Sequence, residues 1–270
     1  MVIYLYIENG KRGICVSIAI ITGASSGIGV EFVKQLENFS DGVDEIWAVA
    51  RRENLLEELK TKTKIPVKPI PLDLTDLKSI YALEQLLKES GKDVSVLINC
   101  AGYGKFGSYA DIKNSDALGM VDLNCRALVG VTNVTLPFMK QGAKILQVCS
   151  ISSFQPLPLM AVYAASKVFV LNYSRALFME LKPRGISVTA LCPGWVDTAF
   201  FKTATDTKNP NAVTKYTFMQ TPERVVKQGL KAMKKGRMVF IVGGQNKILY
   251  VLNKILPVKI VMKTWIKTQK

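Results

Sequence analysis

Short runs of apolar, β-branched residues alternate with longer stretches of helical periodicity along most of this chain. The runs at 17–22 (SIAIIT), 45–50 (EIWAVA), 67–72 (VKPIPL), 94–99 (VSVLIN), 143–150 (AKILQVCS), 186–192 (ISVTALC) and 238–242 (MVFIV) read as strands. They are apolar throughout rather than at every second position, which is the pattern of strands covered on both faces. Helices are predicted between them, over 28–37, 54–60, 77–89, 117–139, 163–181 and 222–234. The alternation predicts an α/β fold: an open, doubly wound parallel sheet of about seven strands with helices on both faces. With no linker and no internal repeat, residues 1–270 read as one domain.

Two segments break the rhythm. Residues 197–220 are largely polar and contain Pro210, between a strand and a helix, so they read as a lid over a substrate. The tail 245–270 has helical periodicity broken by Pro257, with Lys259, Lys263, Lys267 and Lys270 on one face and Ile260, Val261, Trp265 and Ile266 left to pack elsewhere.

Composition narrows the chemistry. At 270 residues and 49% hydrophobic, the chain has the material for a large core. It contains no histidine, which removes Ser-His-Asp and Cys-His catalysis and every His-containing metal site. The cysteines Cys15, Cys100, Cys125, Cys149 and Cys192 are scattered and form no C-x-x-C pair, so no metal is expected and free thiols in a reducing compartment fit. The start lacks a basic leader and a long apolar run, and no stretch is long enough for a membrane span; the expected location is cytoplasmic.

The net charge is +15, of which +11 falls between Thr221 and Lys270. A terminal excess is read as a solvated basic face, not a nucleic-acid groove. Membrane-surface contact through the tail stays open, although Pro257 and the modest length favour a pocket lid or a subunit contact.

The first long apolar strand runs into Thr22-Gly23-Ala24-Ser25-Ser26-Gly27-Ile28-Gly29 and then a helix. Glycines there let backbone approach a pyrophosphate, while the helix N-terminus offers free N–H groups and a favourable dipole. This points to a dinucleotide in a Rossmann-type fold. The spacing Gly-x-x-x-Gly-x-Gly, with Thr22 before it, resembles the short-chain dehydrogenase/reductase family, and the resemblance extends over roughly 17–242. Asp73-Leu74 matches the family's adenine-contacting position. Asn99-Cys100-Ala101-Gly102 stands where the family usually has Asn-Asn-Ala-Gly, with Cys100 as a departure expected to weaken one strand-bracing hydrogen bond.

Cofactor choice follows from charge. The second strand of this series ends Val49-Ala50-Arg51-Arg52, with no acid to accept from a ribose 2′-OH and Arg51 placed for a bidentate phosphate contact. Arg52 either helps or faces solvent. NADP(H) is the expected cofactor.

Tyr163 and Lys167 lie four apart in a helical pattern and project from one face. A neighbouring ammonium stabilises phenolate and is expected to lower the tyrosine pKa toward neutrality. The resemblance implies further roles. Ser150, thirteen residues earlier, matches the family's catalytic serine. Asn124 matches an asparagine that holds a water linking Lys167 to solvent; a buried amide bonding the backbone is a second reading, compatible with the first. Pro193-Gly194-Trp195-Val196-Asp197-Thr198 matches a motif in which the valine backbone and Thr198 hydroxyl grip the nicotinamide carboxamide. Hydride exchange between cofactor and a carbonyl carbon, with Tyr163 moving the oxygen's proton, is the implied reaction.

Phe154, Leu157, Leu159, Met160, Trp195, Phe200, Phe201, Phe218 and Met219 are offered as walls for a bulky hydrophobic small molecule, though each also suits core packing. Phe154-Gln155-Pro156-Leu157-Pro158, the lid and the basic tail resemble hydroxysteroid dehydrogenase-like members, which implies a steroid or bile-acid alcohol. A 3-oxoacyl thioester reductase shares every catalytic residue, and a non-catalytic dinucleotide-binding scaffold remains a different class of reading. The family resemblance also implies a homodimer or homotetramer.

Overall fold

The structure is a computed structural model that describes residues 5–8, 11–14, 16–39 and 42–269; Cys15 and Lys270 lie outside the described residues. A two-stranded antiparallel hairpin, β1 (Leu5–Glu8) with β2 (Lys11–Ile14), comes first and was not anticipated by the apolar pattern. The main sheet follows with β3 (Ser17–Thr22), β4 (Glu45–Ala50), β5 (Val67–Pro71), β6 (Asp93–Asn99), β7 (Lys144–Val148), β8 (Ser187–Cys192) and β9 (Val239–Ile241). Its order is β5-β4-β3-β6-β7-β8-β9, every neighbouring pair parallel, which is the doubly wound sheet expected from the sequence. Pro69 and Pro71, which cannot donate to a ladder, sit on the edge strand β5.

The helices are α1 (Gly27–Gln35), α2 (Glu53–Glu57), α3 (Leu77–Ser90), α4 (Asn114–Val121), α5 (Leu128–Thr135), α6 (Ala161–Leu181), α7 (Phe200–Ala204), α8 (Pro222–Lys234), α9 (Gly244–Ile255) and α10 (Val258–Gln269). Successive strand residues feed two different cores, which explains why the strands are apolar throughout. Ala19, Ile21, Ile46 and Ala48 meet Phe32 and Val33 of α1, Leu56 of α2 and Val225, Leu230 and Met233 of α8. Ile18, Ile20, Trp47 and Val49 meet Ile80 and Leu83 of α3, Val131 of α5 and Leu177 of α6 on the other face.

Helix ends follow local chemistry. Asp76 accepts from the Lys78 N–H at the start of α3, and Gly91 ends that helix at φ 61°, a left-handed conformation that costs glycine little. Thr221 accepts from the Arg224 N–H, with Pro222 at the first helical position of α8. The helix predicted over 117–139 is not continuous. A wide π-turn over Asp122–Ala127 separates α4 from α5, and a 3₁₀ turn over Leu136–Phe138 ends the run. Such turns concentrate at functional positions, and this one contains Asn124.

The strand order reverses between β3 and β6, so the loops after them diverge and leave a crevice at the strands' C-terminal ends. Two elements roof it. The lid is a loop closed at its neck, where Gln220 N donates to Trp195 O (2.9 Å) and Asp197 N donates to Gln220 O (2.9 Å). The tail folds back over the same side: Trp265 Nε1 donates to Pro158 O (2.8 Å), and Gln269 Oε1 accepts from Thr214 N (3.1 Å) and Lys215 N (3.2 Å). No helix among the described residues is long and apolar enough to cross a membrane.

Candidate active site

The crevice is a cleft of about 1330 Å³, larger than most single-ligand pockets and sized for a cofactor beside a substrate. Its floor is the glycine turn after β3. Gly23 has φ 68°, and a Cβ there would lie 2.8 Å from the backbone N and Cα of Ala101, so the two loops meet with no room for a side chain. Thr22 Oγ1 joins them by accepting from both Cys100 N and Ala101 N at 3.1 Å. A Cβ on Gly29 would lie 2.1 Å from Gly23 O; this glycine holds the first turn of α1 against the strand end and does not line the cleft. Ser26 precedes α1 without capping it, and the first turn carries no acid. Free helix N–H groups beside left-handed glycine backbone make an anion cradle.

The cations lie at one end of this cradle. Arg52 Nη2 donates to Ser25 Oγ (3.0 Å), which ties the end of β4 to the glycine turn. Arg51 is 74% exposed and 4.0 Å from Asp73 Oδ2. Burial works to raise the Asp73 pKa, but bonds from Thr75 N (3.0 Å) and Thr75 Oγ1 (2.7 Å), with Arg51 nearby, outweigh it and hold the carboxyl below its ordinary range.

At the other end, Ser150 stands just past β7 in extended backbone (φ −167°), where it accepts from Ser152 N (3.1 Å) at the head of the 3₁₀ turn Ile151–Phe154. Its side chain and that of Tyr163 both line the cleft. Lys167, one turn along α6, is buried; its Nζ donates to Val148 O (2.9 Å) and lies 5.9 Å from the centre of the Tyr163 ring. Asn124 Oδ1 accepts from Tyr103 N (3.0 Å), while its Nδ2 donates to Tyr103 O (2.9 Å) and Ser166 Oγ (3.0 Å). The amide therefore braces the loop after β6 against α6, which is the backbone-bonding reading. A Cβ on Gly104 would lie 2.9 Å from both the Tyr163 and Phe200 rings, so that loop presses directly on the tyrosine.

The expected lowering of the Tyr163 pKa toward neutrality needs correction. Burial dominates and pushes it up to about 12, with the Ser150 hydroxyl working the other way. Burial also draws Lys167 below the ordinary lysine range. With its ammonium committed to Val148 O, Lys167 does little for the phenolate in this arrangement. A phenol held so high is a proton donor near neutral pH.

Against known proteins, residues 17–209 match the family described as short chain dehydrogenase. This chain is a short-chain dehydrogenase. Curated relatives of this short-chain dehydrogenase include an uncharacterised oxidoreductase of Staphylococcus epidermidis, 30% identical over 183 residues (67% of this chain, 78% of the relative). Another is sulfoacetaldehyde reductase 2 of Chromohalobacter salexigens, 33% identical (68% of this chain, 74% of the relative). Very-long-chain 3-oxoacyl-CoA reductase-B of Danio rerio is 28% identical over 262 residues (91% of this chain, 78% of the relative). Among solved structures, an actinorhodin polyketide ketoreductase variant with NADPH superposes with a TM-score of 0.71, with 25% identity (86% of this chain, 97% of that one).

In this short-chain dehydrogenase the cleft wall collects Gly23, Ser25, Ser26, Gly27, Ile28, Arg51, Arg52, Asp73, Leu74, Ala101, Gly102, Ser150, Tyr163, Lys167, Pro193, Gly194, Val196 and Thr198. Thr198 lies across the glycine turn, its Cγ2 3.2 Å from where a Gly27 Cβ would be. Asn99 turns the other way; its Nδ2 donates to Thr132 Oγ1 (3.0 Å) behind the cleft. Of the apolar residues offered as walls, Leu157, Met160, Trp195, Phe200 and Phe201 line the cleft. Phe154 instead packs on Tyr250 (ring centres 4.5 Å), Leu159 packs in the core behind, and Phe218 and Met219 are exposed.

Sequence reasoning missed Lys105 and Asn246; the tail, expected as a pocket lid or a subunit contact, does line the cleft. Lys105 is buried at the cleft and donates to Asp206 O (2.7 Å) and Oδ2 (2.9 Å), latching the lid to the loop after β6. Asn246 donates to Val242 O (2.7 Å), and a Cβ on Gly194 would lie 2.6 Å from its Nδ2. Leu249, Leu252, Leu256, Val261 and Trp265 complete the wall from α9 and α10. The tail's amphipathic period was a signal that it packs; which surface it covers was not in the period.

Proposed function

We propose that this short-chain dehydrogenase interconverts a ketone and a secondary alcohol on a hydrophobic substrate, using NADP(H). The observation that carries the reading is one cleft wall that brings Ser150, Tyr163 and Lys167 together, with the glycine turn and the Trp195, Phe200 and Phe201 rings lining the same cleft.

A nicotinamide dinucleotide fits the residues present. The Gly23–Ala101 approach and the uncapped start of α1 suit a pyrophosphate, with Ser25, Ser26, Gly27 and Ile28 around it. Arg51 and Arg52, with no acid at Ala50, suit a 2′-phosphate; Asp73 and Leu74 would flank the adenine. Ala101, Gly102, Pro193, Gly194, Val196 and Thr198 would hold the nicotinamide half, with Lys167 at its ribose. Gly29 and Asn99 would act behind them by keeping the turn and strand end in shape. The bound cofactor supplies the hydride. Ser150 and Tyr163, both on the cleft wall, would together orient a carbonyl oxygen. Tyr163, held as a phenol, gives that oxygen its proton. Asn124 positions the loop behind the tyrosine. The lid and tail exclude water above it.

For the substrate, the Trp195, Phe200 and Phe201 rings line the cleft beside Tyr163, backed by edge-to-face and tilted contacts with buried Phe106 and with Tyr216, and favour a bulky apolar body, as a steroid or bile-acid alcohol presents. A second reading, a 3-oxoacyl thioester, is favoured by the Danio rerio relative, whose similarity runs over 91% of the chain. Assembly as a homodimer or homotetramer is supported by exposed Leu118 and Val121 on α4 and Val168 and Phe169 on α6. The single-domain reading is supported by the tail's bonds to Pro158, Thr214 and Lys215.

The test is oxidation of NADPH and NADH followed by absorbance against a panel of oxosteroids, 3-oxoacyl thioesters and short polar ketones. Turnover of apolar ketones with NADPH, lost by roughly 10²–10⁴-fold in Tyr163→Phe, is the expected result. Unchanged turnover in Tyr163→Phe refutes the assignment of the proton donor. No turnover of any steroid removes the steroid reading.

A further inference from the structure

Helix α9 is turned inside out. At about 100° per residue, Asn246, Tyr250 and Asn253 fall on one face, and that face meets the protein: Asn246 is buried, and Tyr250 and Asn253 are half-buried. The opposite face carries Ile248, Val251, Leu252 and Ile255, all exposed, with Ile248 at 62% and Ile255 at 73%. A helix facing only water reverses this pattern. Val258 and Ile260 at the start of α10 are exposed as well, and nearly half the exposed large apolar side chains among the described residues fall within 248–266.

Cations border the strip. Lys247 and Lys254 lie along one edge of it on α9, over the Phe240 and Tyr250 rings, while Lys259, Lys263 and Lys267 share the outward face of α10, roughly opposite buried Val261 and half-buried Trp265. From Gln245 to Lys270 there are six lysines and no acid. An aliphatic strip edged by lysines is the chemistry of a helix lying in the headgroup region, where the aliphatics enter the acyl boundary and the ammonium groups reach anionic phosphates. A second copy of the chain offers a poorer partner, since a symmetric contact would set one lysine-rich face against another.

We infer that the α9–α10 hairpin is a docking surface for an anionic phospholipid bilayer. Leu252 belongs to both the exposed strip and the cleft wall, and Leu249 and Leu256 adjoin it there, so docking sets the substrate end of the cleft against the lipid. Delivery of a water-insoluble substrate from the bilayer is a consequence that rests on the oxidoreductase reading. The docking surface does not, and its test is read without turnover.

The full-length protein is mixed with vesicles of phosphatidylcholine alone or with phosphatidylserine, and the bound fraction is measured by flotation. Binding to the anionic vesicles at low salt is expected to exceed binding to the neutral ones at least about tenfold and to fall as salt is raised. Lys259→Gln/Lys263→Gln/Lys267→Gln is expected to weaken it by about a hundredfold. Ile248→Gln/Val251→Gln/Ile255→Gln alters exposed positions outside the cleft wall and is expected to abolish the salt-resistant part. Circular dichroism checks that each variant is folded, and the lysine variant keeps the test decisive if the apolar one is not. Protein that stays unbound with anionic vesicles at low salt, or binding unchanged in the folded variants, overturns the proposal. So does an oligomer in solution that dissociates in the apolar variant, because the strip then belongs to a second copy.

Discussion

Thr22→Val tests whether one hydroxyl joins the two loops that form the cofactor floor. Valine keeps the shape of threonine, and Thr22 is only 1% exposed, so the change removes an acceptor without opening a cavity. The donors that lose their partner are Cys100 N and Ala101 N, each 3.1 Å from the hydroxyl oxygen. An unsatisfied buried donor costs about 1–3 kcal/mol, and these two are partly buried, so the pair is expected to cost about 2–4 kcal/mol. For a chain of this size that lowers the melting temperature by about 5–12 °C. Because the Ala101 backbone lies where a Gly23 Cβ would be, the loosened loop intrudes on the cradle and NADPH affinity falls as well. Urea melts followed by tryptophan fluorescence, with and without NADPH, measure both effects. Thr22→Ser keeps the acceptor and is expected to retain most of the stability. A Thr22→Val protein within about 0.5 kcal/mol of the parent, or a serine variant equally impaired, would falsify the bridging role.

Other expectations follow from the same geometry. With Tyr163 held up at about 12, the phenol stays protonated through neutral pH and is lost only as pH rises toward that value. Ketone reduction should therefore show no tyrosine-dependent fall between neutral and mildly alkaline pH, while alcohol oxidation should climb with pH; a reductive rate halved near neutrality and restored by no other group would count against the donor role. Arg51→Ala/Arg52→Ala should raise the KM for NADPH by roughly 10–100-fold and leave NADH little changed, since each charge-assisted bond is worth about 1.5–3 kcal/mol at most and Arg51 is largely exposed. Equal losses with both cofactors would mean that the arginines only support the fold. Gly29→Ala should yield little folded protein, because its Cβ would lie 2.1 Å from Gly23 O, and a normal melting curve would show that the turn can move aside. Lys105→Met removes the bonds to Asp206 and should speed proteolysis within the lid and raise the substrate KM while sparing NADPH binding, measured separately by fluorescence titration.

The sheet was legible because its cause is local. Every strand of a doubly covered sheet must be apolar on both faces, so Ile18 to Ile21 announce their surroundings without knowledge of any partner. The glycine turn was legible for a similar reason, since Gly23 and Gly29 answer steric demands a few residues away. Tyr163 and Lys167 could be paired from spacing because they lie one turn apart on α6, while Ser150, at a strand end, was reached through the family resemblance. The protonation of Tyr163 was not legible. Its pKa depends on burial, and the loop after β6 and the α7 ring of Phe200 supply part of that cover from distant positions in the chain.

The chain's periodicity specifies the strands of the main sheet and most of the helices, including the two in the tail, because amphipathic spacing is a property of neighbours in sequence. It does not specify which face of a helix meets the protein. On α9 that choice depends on Gly194, Val242 and Phe154, which Asn246 and Tyr250 meet from the polar side of the helix. Only the tertiary packing could turn its aliphatic side outward, set Leu252 at the cleft and latch the lid through Lys105, because each of those contacts joins segments that the sequence keeps far apart.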